Sequence, residues 1–344
     1  MTPLEGSPPP SGGAGAGDGG GARLSARDFL GPVLLSHIER VRADARRVVT
    51  GSEQGAEPDA EAVHDFRVSL RRLRTLLKPA RRIYGRRRLR PVAEGLREFA
   101  RATGALRDEE VLRETLTALD LDEAARAAVA GWVAQRARRE REARAHIVEL
   151  LQQDRPDDTG VAQADAPAEG DTGATQTYAP AEGERLRLEP HLARLERRIS
   201  RRKARKRGAE ALARRAIGDA LDDVRTLAAS DPGDGAAMHA LRIRFKRLRY
   251  SAETFSPLFG ERAERTAKSA SRMQRRLGQL HDADEALAQM TRAEALAPDA
   301  RAAVIEALAA ERARLAHKAT EELARELDAL TSLWSGDPRA LPSG

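Results

Sequence analysis

A repeated array of cations is the part of this sequence best suited to chemistry. Residues 64–75 read HDFRVSLRRLRT, and residues 239–250 read HALRIRFKRLRY. In each copy a histidine is followed by cations at +3, +7, +8 and +10, and the second copy begins 175 residues after the first (64 to 239). Arg and Lys side chains donate charge-assisted hydrogen bonds to the oxygens of anions. Because a duplicated segment indicates a duplicated structural unit, the repeat predicts that both halves of the chain recognise an anion.

Helical spacing arranges these cations in two rows, each beside an apolar face. At 3.6 residues per turn, the apolar residues at 66, 70, 73 and 77 share one face of a helix, as do those at 241, 245, 248, 252 and 255. The cations lie about 100° around the helix from that face, and the first row is about 21 Å long. The first basic stripe is His64, Arg67, Arg71, Arg74 and Lys78. The second basic stripe is His239, Arg242, Lys246 and Arg249.

Two further sets of cations complete the candidate anion-binding residues. Arg72 and Arg247 directly follow the stripe residues at 71 and 246 in the two copies. A third basic segment near the start of the second half has no clear counterpart in the first. Taken alone, it is typical either of a nucleic-acid-binding patch or of a solvated helix face. Its candidate residues are Arg198, Arg201, Arg202 and Arg205.

The composition limits the classes of binding partner and the cellular location that we expect. Lys and Arg total 60 against 53 Asp and Glu, which gives a net charge of +7 and a pI of about 10.1. This balance favours an acidic partner such as nucleic acid, a phosphorylated polymer or an anionic membrane surface. The sequence has no cysteine, which removes disulfides, thiol chemistry and cysteine–zinc sites. Because there is neither a signal-peptide pattern nor an apolar run of about 20 residues, we expect a cytoplasmic protein without a membrane partner.

The apolar periodicity is helical throughout, and it predicts an all-α fold. We expect two similar helical bundles in tandem. The helices are expected at about 25–49, 61–84, 91–103, 122–153, 189–229, 261–277 and 299–333, with Gly85 and Gly260 as stops. Asp282 is expected to cap a further helix. The predicted organisation is a disordered tail (1–22), a first half (23–151), an acidic mobile linker (152–188), a second half (189–335) and a tail (336–344).

The doubled motif H-x-x-R-[VI]-x-x-[RK]-R-L-R, with its trailing [YF]-G and the following G-x-L-[RH]-D, resembles the CHAD (conserved histidine α-helical domain) family over about residues 25–335. The resemblance implies a compact, all-α domain of two pseudo-symmetric helical bundles around a basic groove or cavity. It also implies binding of inorganic polyphosphate and association with polyphosphate granules, as in proteins of this family. The chain lacks the E-x-E-x-K signature of the CYTH triphosphate-tunnel domain found in many relatives, and its linker is long and acidic. The family's basic-helix residues match at His64, Arg67, Arg71, Arg72, Arg74, His239, Arg242, Lys246, Arg247 and Arg249.

We therefore expect non-enzymatic binding of polyphosphate, with no catalytic residue, metal ligand or cofactor. One alternative is a nucleic-acid-binding protein, although aromatic residues make up only 3% of the chain and few would be free to stack on bases. The other is a metal-dependent polyphosphate hydrolase, for which His281-Asp282 is the main hint. Arg107 stands at the position equivalent to His281, which argues against a required ligand. A solvated face is the usual explanation of an Arg-rich helix, but the recurrence of the two basic stripes in register argues against it, because a solvated face has no reason to keep register.

Overall fold

The computed structural model describes residues 24–53, 60–154, 186–201 and 208–334, and these residues form ten α-helices and no β-strand. The predicted all-α class is confirmed. A single antiparallel bridge joins Ser25 and Gly208. The helices are α1 (Ala26–Glu53), α2 (Ala60–Tyr84), α3 (Arg86–Ala102), α4 (Ala105–Thr117), α5 (Glu123–Gln152), α6 (Glu189–Ser200), α7 (Ala209–Leu227), α8 (Gly235–Phe259), α9 (Glu261–Thr291) and α10 (Pro298–Trp334).

The two predicted stop glycines turn the chain directly into the next helix. Gly85 has a φ of +96° and Gly260 a φ of +53°, which are backbone conformations that other residues rarely adopt. Their N–H groups donate to the carbonyls of Arg81 (3.1 Å) and Ser256 (2.7 Å). The glycines therefore end α2 and α8 as expected, and α3 begins at Arg86 rather than near residue 91.

The two halves differ after the stop glycines. The first half has two helices there, α3 and α4, whereas the second half has one continuous helix, α9. The prediction of a helix end near 277 and a new cap at Asp282 was wrong, because α9 runs unbroken from Glu261 to Thr291. A Cβ at Gly104, the first-half counterpart of Gly278, would lie 2.9 Å from a backbone oxygen, whereas Gly278 has open space. A glycine inside a helix costs roughly 1 kcal/mol. The continuous buried face of α9 outweighs that cost.

The predicted single basic helix at 189–229 is two helices, α6 and α7. Residues 202–207 between them lie outside the described part of the chain. α6 packs closely on α3, since a Cβ at Gly95 would lie 2.0 Å from the His191 ring. Only glycine permits this approach, which fixes α6 against the first half.

Both halves contribute to one continuous core. The predicted apolar faces of α2 and α8 are buried, and most of their side chains join the same cluster. Phe29 of α1 stacks on Phe255 of α8 at 5.7 Å, and Phe66 of α2 meets Phe99 of α3 edge-on at 6.1 Å. A smaller cluster joins residues of α4 and α5 to α9 and α10. Because α2 and α8 share a core, their basic stripes are held in a fixed relation.

A hydrogen bond closes the ends of the predicted linker. Asp154, at the end of the first half, is buried, and its Oδ2 accepts from the backbone N–H of Glu189 at 2.6 Å. Residues 155–185, which make up most of the predicted linker, lie outside the described residues. Among the described helices, none combines the length and apolar character needed to span a membrane.

Candidate functional site

Helices α2 and α8 contact each other and bring the two basic stripes together. Lys246 of α8 is half-buried, and burial followed by neighbouring cations lowers its pKa to about 7. The charged groups that act most strongly on it are, in decreasing order, Arg71, Arg242, Arg74 and Arg67. All four are arginines, and three of them belong to the other half of the chain. We call Arg67, Arg71, Arg74, Arg242 and Lys246 the cation cluster.

The cation cluster is poorly neutralised by the protein itself. The Nε atoms of Arg71 and Arg242 are buried without a hydrogen-bond partner. Burial lowers the pKa of Arg242, an effect that Asp282 opposes and Arg71 reinforces. Burial, then Arg97 and Arg101, lower the pKa of Arg74. Buried donors without acceptors, within a group of like charges, cost folding free energy. An anion bound from outside the protein would accept these hydrogen bonds and offset the repulsion.

One member of the cation cluster also has a structural role. Arg67 Nη1 donates to the carbonyl oxygen of Thr103, and to that of Gly104 at 3.3 Å. These carbonyls lie in the turn between α3 and α4, where the chain breaks the helix. Arg67 therefore fixes that turn against α2 as well as carrying charge into the cluster.

The aspartates of the repeated G-x-L-[RH]-D motif lie beside the first arginine of each stripe. Burial raises the pKa of Asp108 and of Asp282, and the strongest opposing effects come from Arg67 and Arg242 respectively. In each half a motif aspartate thus interacts electrostatically with the first arginine of the basic stripe. The prediction did not include these two aspartates, although their recurrence in the sequence was a usable signal.

The two motif histidines, His64 and His239, have different environments, because in the described part of the chain only His239 lies against a second histidine, His281. His239 Nδ1 lies 3.2 Å from His281 Nδ1, and the ring centroids are 4.3 Å apart. Burial, then Arg242 and His239, lower the pKa of His281 to about 4, and burial lowers that of His239. Both rings are therefore neutral near pH 7 and contribute hydrogen bonding rather than charge. His64 is exposed on α2.

Several predicted binding residues are paired with carboxylates instead. Arg247 forms an ion pair with Asp223 of α7, and Lys78 lies 4.0 Å from the same carboxylate. Arg249 Nε donates to Glu253, one turn further along α8, at 2.7 Å. These pairings place the three cations outside the unneutralised part of the site.

The remaining predicted residues lie apart from the cation cluster. Arg72 is exposed and lines a separate pocket with His37 and Tyr250. Arg198 donates from Nε and Nη2 to the Tyr84 carbonyl at 3.1 and 3.0 Å, which satisfies the end of α2. Arg201 is exposed, and Arg202 and Arg205 lie outside the described residues.

Three arginines that the prediction omitted extend the positive surface. Arg97 and Arg101 of α3 lower the pKa of Arg74, after burial. Arg81 lies three residues beyond Lys78 and continues the spacing of the first basic stripe. That spacing could have identified Arg81 from sequence. The approach of α3 to α2 that brings Arg97 and Arg101 to the site is a tertiary feature.

The histidines and carboxylates near the cation cluster are not grouped as the ligands of a metal ion would be in the described part of the chain. Within the described ranges, no three His, Asp or Glu residues are placed to hold an ion. The side chains of the cation cluster are themselves suited to electrostatic recognition of an anion, because Arg guanidinium groups can make bidentate contacts with phosphate oxygens.

Comparison with known proteins connects this geometry to a family. The family model described as CHAD domain matches residues 32–291. The crystal structure of the CHAD domain from the plant Ricinus communis is similar, with a TM-score of 0.59 and 21% identity over 92% of this chain and 94% of that chain. PptA from Streptomyces chartreusis has a TM-score of 0.39 and 19% identity, over 88% of this chain and 99% of that chain. No curated protein matches the chain.

Proposed function

The chain belongs to the CHAD domain family, and on that premise we propose that it binds inorganic polyphosphate without transforming it. The cation cluster is the proposed binding site, with His239 beside it as a neutral hydrogen-bonding group. The family is linked to polyphosphate, and association with polyphosphate granules follows from the same proposal.

The observation that carries the proposal is the environment of Lys246. Burial has the largest effect on the pKa of its ammonium group, and the next largest effects come from four arginines of both halves. A linear polymer with a charge on every phosphate can satisfy several of these cations at once, and it releases its own counterions on binding. Guanidinium groups add directional, bidentate contacts to phosphate oxygens.

The placement of the aromatic residues favours polyphosphate over single-stranded nucleic acid. Proteins that bind single strands stack bases on exposed aromatic rings. The aromatic residues next to the basic stripes, Phe66, Phe245 and Phe255, are fully buried in the core. The site therefore offers charge without a stacking platform, which suits a ligand that has phosphates and no bases.

The proposal is tested by comparing ligands on the full chain. Long-chain polyphosphate, single-stranded DNA and duplex DNA are titrated at equal phosphate concentration and equal salt. We expect polyphosphate to bind at least about tenfold more tightly than either DNA, a difference of about 1.4 kcal/mol. Equal or tighter binding of DNA would contradict the proposal and support the nucleic-acid alternative.

The non-enzymatic part of the proposal has its own test. Polyphosphate incubated with the protein and divalent cations, then separated by gel electrophoresis, is expected to keep its chain length. Progressive shortening that depends on the protein would favour the hydrolase alternative instead.

A further inference from the structure

A second group of arginines lines a pocket at the junction of α2 and α3. The pocket has a volume of about 450 Å³, and a single carboxylate, Glu94, is among its lining residues. That carboxylate is already paired with Arg90 at 2.8 Å. The arginine pocket is lined by Arg81, Arg86, Arg87, Arg90 and Arg97.

Arg81 has a buried donor that an anion in the arginine pocket would satisfy. Its Nε is buried without a hydrogen-bond partner. Burial lowers its pKa, and Arg86 and Arg97 lower it further. A buried donor without an acceptor needs a partner that the protein does not provide. An anion in the pocket would accept this hydrogen bond and offset the repulsion among the arginines.

The start of α3 adds to the unbalanced charge. Arg86 and Arg87 open the helix, and its first turn has no acidic residue. The N-terminus of a helix is the positive end of its dipole, where cations are unfavourable and anions are stabilised. The local sequence is thus the opposite of what stability alone would favour, but it suits a bound anion.

The arginine pocket and the cation cluster are electrostatically connected. Arg97 lowers the pKa of Arg74 in the cluster and also that of Arg81 in the pocket. Along α2, the distance from Arg67 to Arg81 is about 21 Å at 1.5 Å per residue. The two sites therefore form one continuous positive surface longer than a short phosphate oligomer can cover.

A larger pocket adjoins the arginine pocket and shares Arg81 and Arg86 with it. It has a volume of about 520 Å³, and its lining adds Lys78, Arg82 and Arg247 together with Asp219. Asp219 pairs with Arg82 at 2.6 Å, and Asp223 pairs with Arg247. Carboxylates from α7 thus pair with Arg82 and Arg247, two of the cations that the larger pocket does not share with the arginine pocket. In the arginine pocket the one lining carboxylate pairs with Arg90, which leaves Arg81, Arg86, Arg87 and Arg97 to face an anion.

We propose that the arginine pocket is a second phosphate subsite, which binds the part of a long polyphosphate that extends beyond the cation cluster and thereby selects long chains over short ones. This inference rests on the proposed function. A ligand that reaches both sites gains the second contact at high effective concentration, whereas a short ligand gains nothing from it.

The test uses the full chain carrying Arg86→Gln and Arg87→Gln, titrated with long-chain polyphosphate and with tripolyphosphate. Both side chains are exposed, and we expect the variant to fold, with an unchanged or higher melting temperature by circular dichroism. Affinity for the long chain should fall about tenfold relative to wild type. Affinity for tripolyphosphate, which the cation cluster alone holds, should stay the same.

A matched control separates a subsite from a general effect of net charge. Arg139→Gln with Arg141→Gln removes the same charge from exposed positions on α5. The inference requires a larger loss of long-chain affinity in the pocket variant than in this control. Equal losses in the two variants, or an unchanged long-chain affinity in the pocket variant, would overturn it. A wild-type protein that binds neither ligand would overturn the proposed function itself.

Discussion

Lys246 lies in the electrostatic field of Arg71, the charged residue that lowers its pKa most. The two residues occupy equivalent positions of the sequence repeat, 175 residues apart (71 to 246). The fold thus brings matching positions of the two copies together between α2 and α8. The second copy has lysine where the first has arginine, so Lys246 is the one member of the cation cluster that can lose its charge near neutral pH.

The first prediction is that polyphosphate affinity depends on pH through Lys246. The free amine has a pKa of about 7, and bound phosphate raises that pKa, so binding takes up a proton above pH 7. Affinity should therefore fall by up to about tenfold per pH unit as pH rises from about 7 to about 9. Dissociation constants measured across this range test it.

Lys246→Arg is the control for the pH prediction, because arginine stays charged throughout the range. The variant should bind with a nearly flat pH dependence. His281, with a pKa of about 4, stays neutral and cannot produce the effect. Parallel pH profiles for wild type and Lys246→Arg would show that Lys246 is not the titrating group.

The second prediction separates the structural and binding roles of the cations. Arg67→Met removes the donor from the carbonyls of Thr103 and Gly104, and should lower the free energy of unfolding by about 1–3 kcal/mol. Arg74→Met removes a cation repelled by Arg97 and Arg101, and should leave stability unchanged or higher. Urea unfolding measures both. Equal destabilisation by the two changes would mean that the contacts of Arg67 are unimportant.

The third prediction concerns the buried carboxylate that closes the linker. Burial raises the pKa of Asp154 to about 6, above the value of about 3.9 expected in the unfolded chain. The uncharged form therefore stabilises the fold fully below about pH 4, and this stability is lost as pH rises through about 6. Asp154→Asn stays uncharged and still presents an oxygen to the Glu189 N–H.

Asp154→Asn should consequently exceed wild type in free energy of unfolding by roughly 1–3 kcal/mol at pH 7, and match it near pH 4. Urea unfolding at the two pH values gives the comparison. A variant that is less stable than wild type at pH 7 would show that the charge at Asp154 favours the fold.

The sequence predicted the fold class and the site helices because the relevant forces are local. The apolar spacing of α2 and α8 requires one buried face, and positive φ at Gly85 and Gly260 requires glycine. The predicted break near Asp282 failed because the local cost of Gly278 is smaller than the gain from burying the continuous face of α9. Local propensity was outweighed by tertiary packing.

The residues of the candidate site were predictable where they follow helical spacing, but their ion pairs with other helices were not. Regular spacing identified every member of the cation cluster, and it could have included Arg81. It could not show that Asp223 forms an ion pair with Arg247 and lies 4.0 Å from Lys78, because that carboxylate is on α7, far from Lys78 in the sequence. The Arg249–Glu253 pair, by contrast, has the i,i+4 spacing of a helical ion pair and was visible in the sequence.

The most direct test of polyphosphate binding by the cation cluster is the affinity of a folded cluster variant. Arg71→Gln with Lys246→Gln removes the facing pair, and Arg139→Gln with Arg141→Gln removes the same charge from α5. Losing two charge-assisted contacts should weaken binding of long-chain polyphosphate at least about a hundredfold, far more than the control. The melting temperature should not fall, because mutual repulsion is relieved. A cluster variant that is folded and binds like the α5 control would contradict the proposed site.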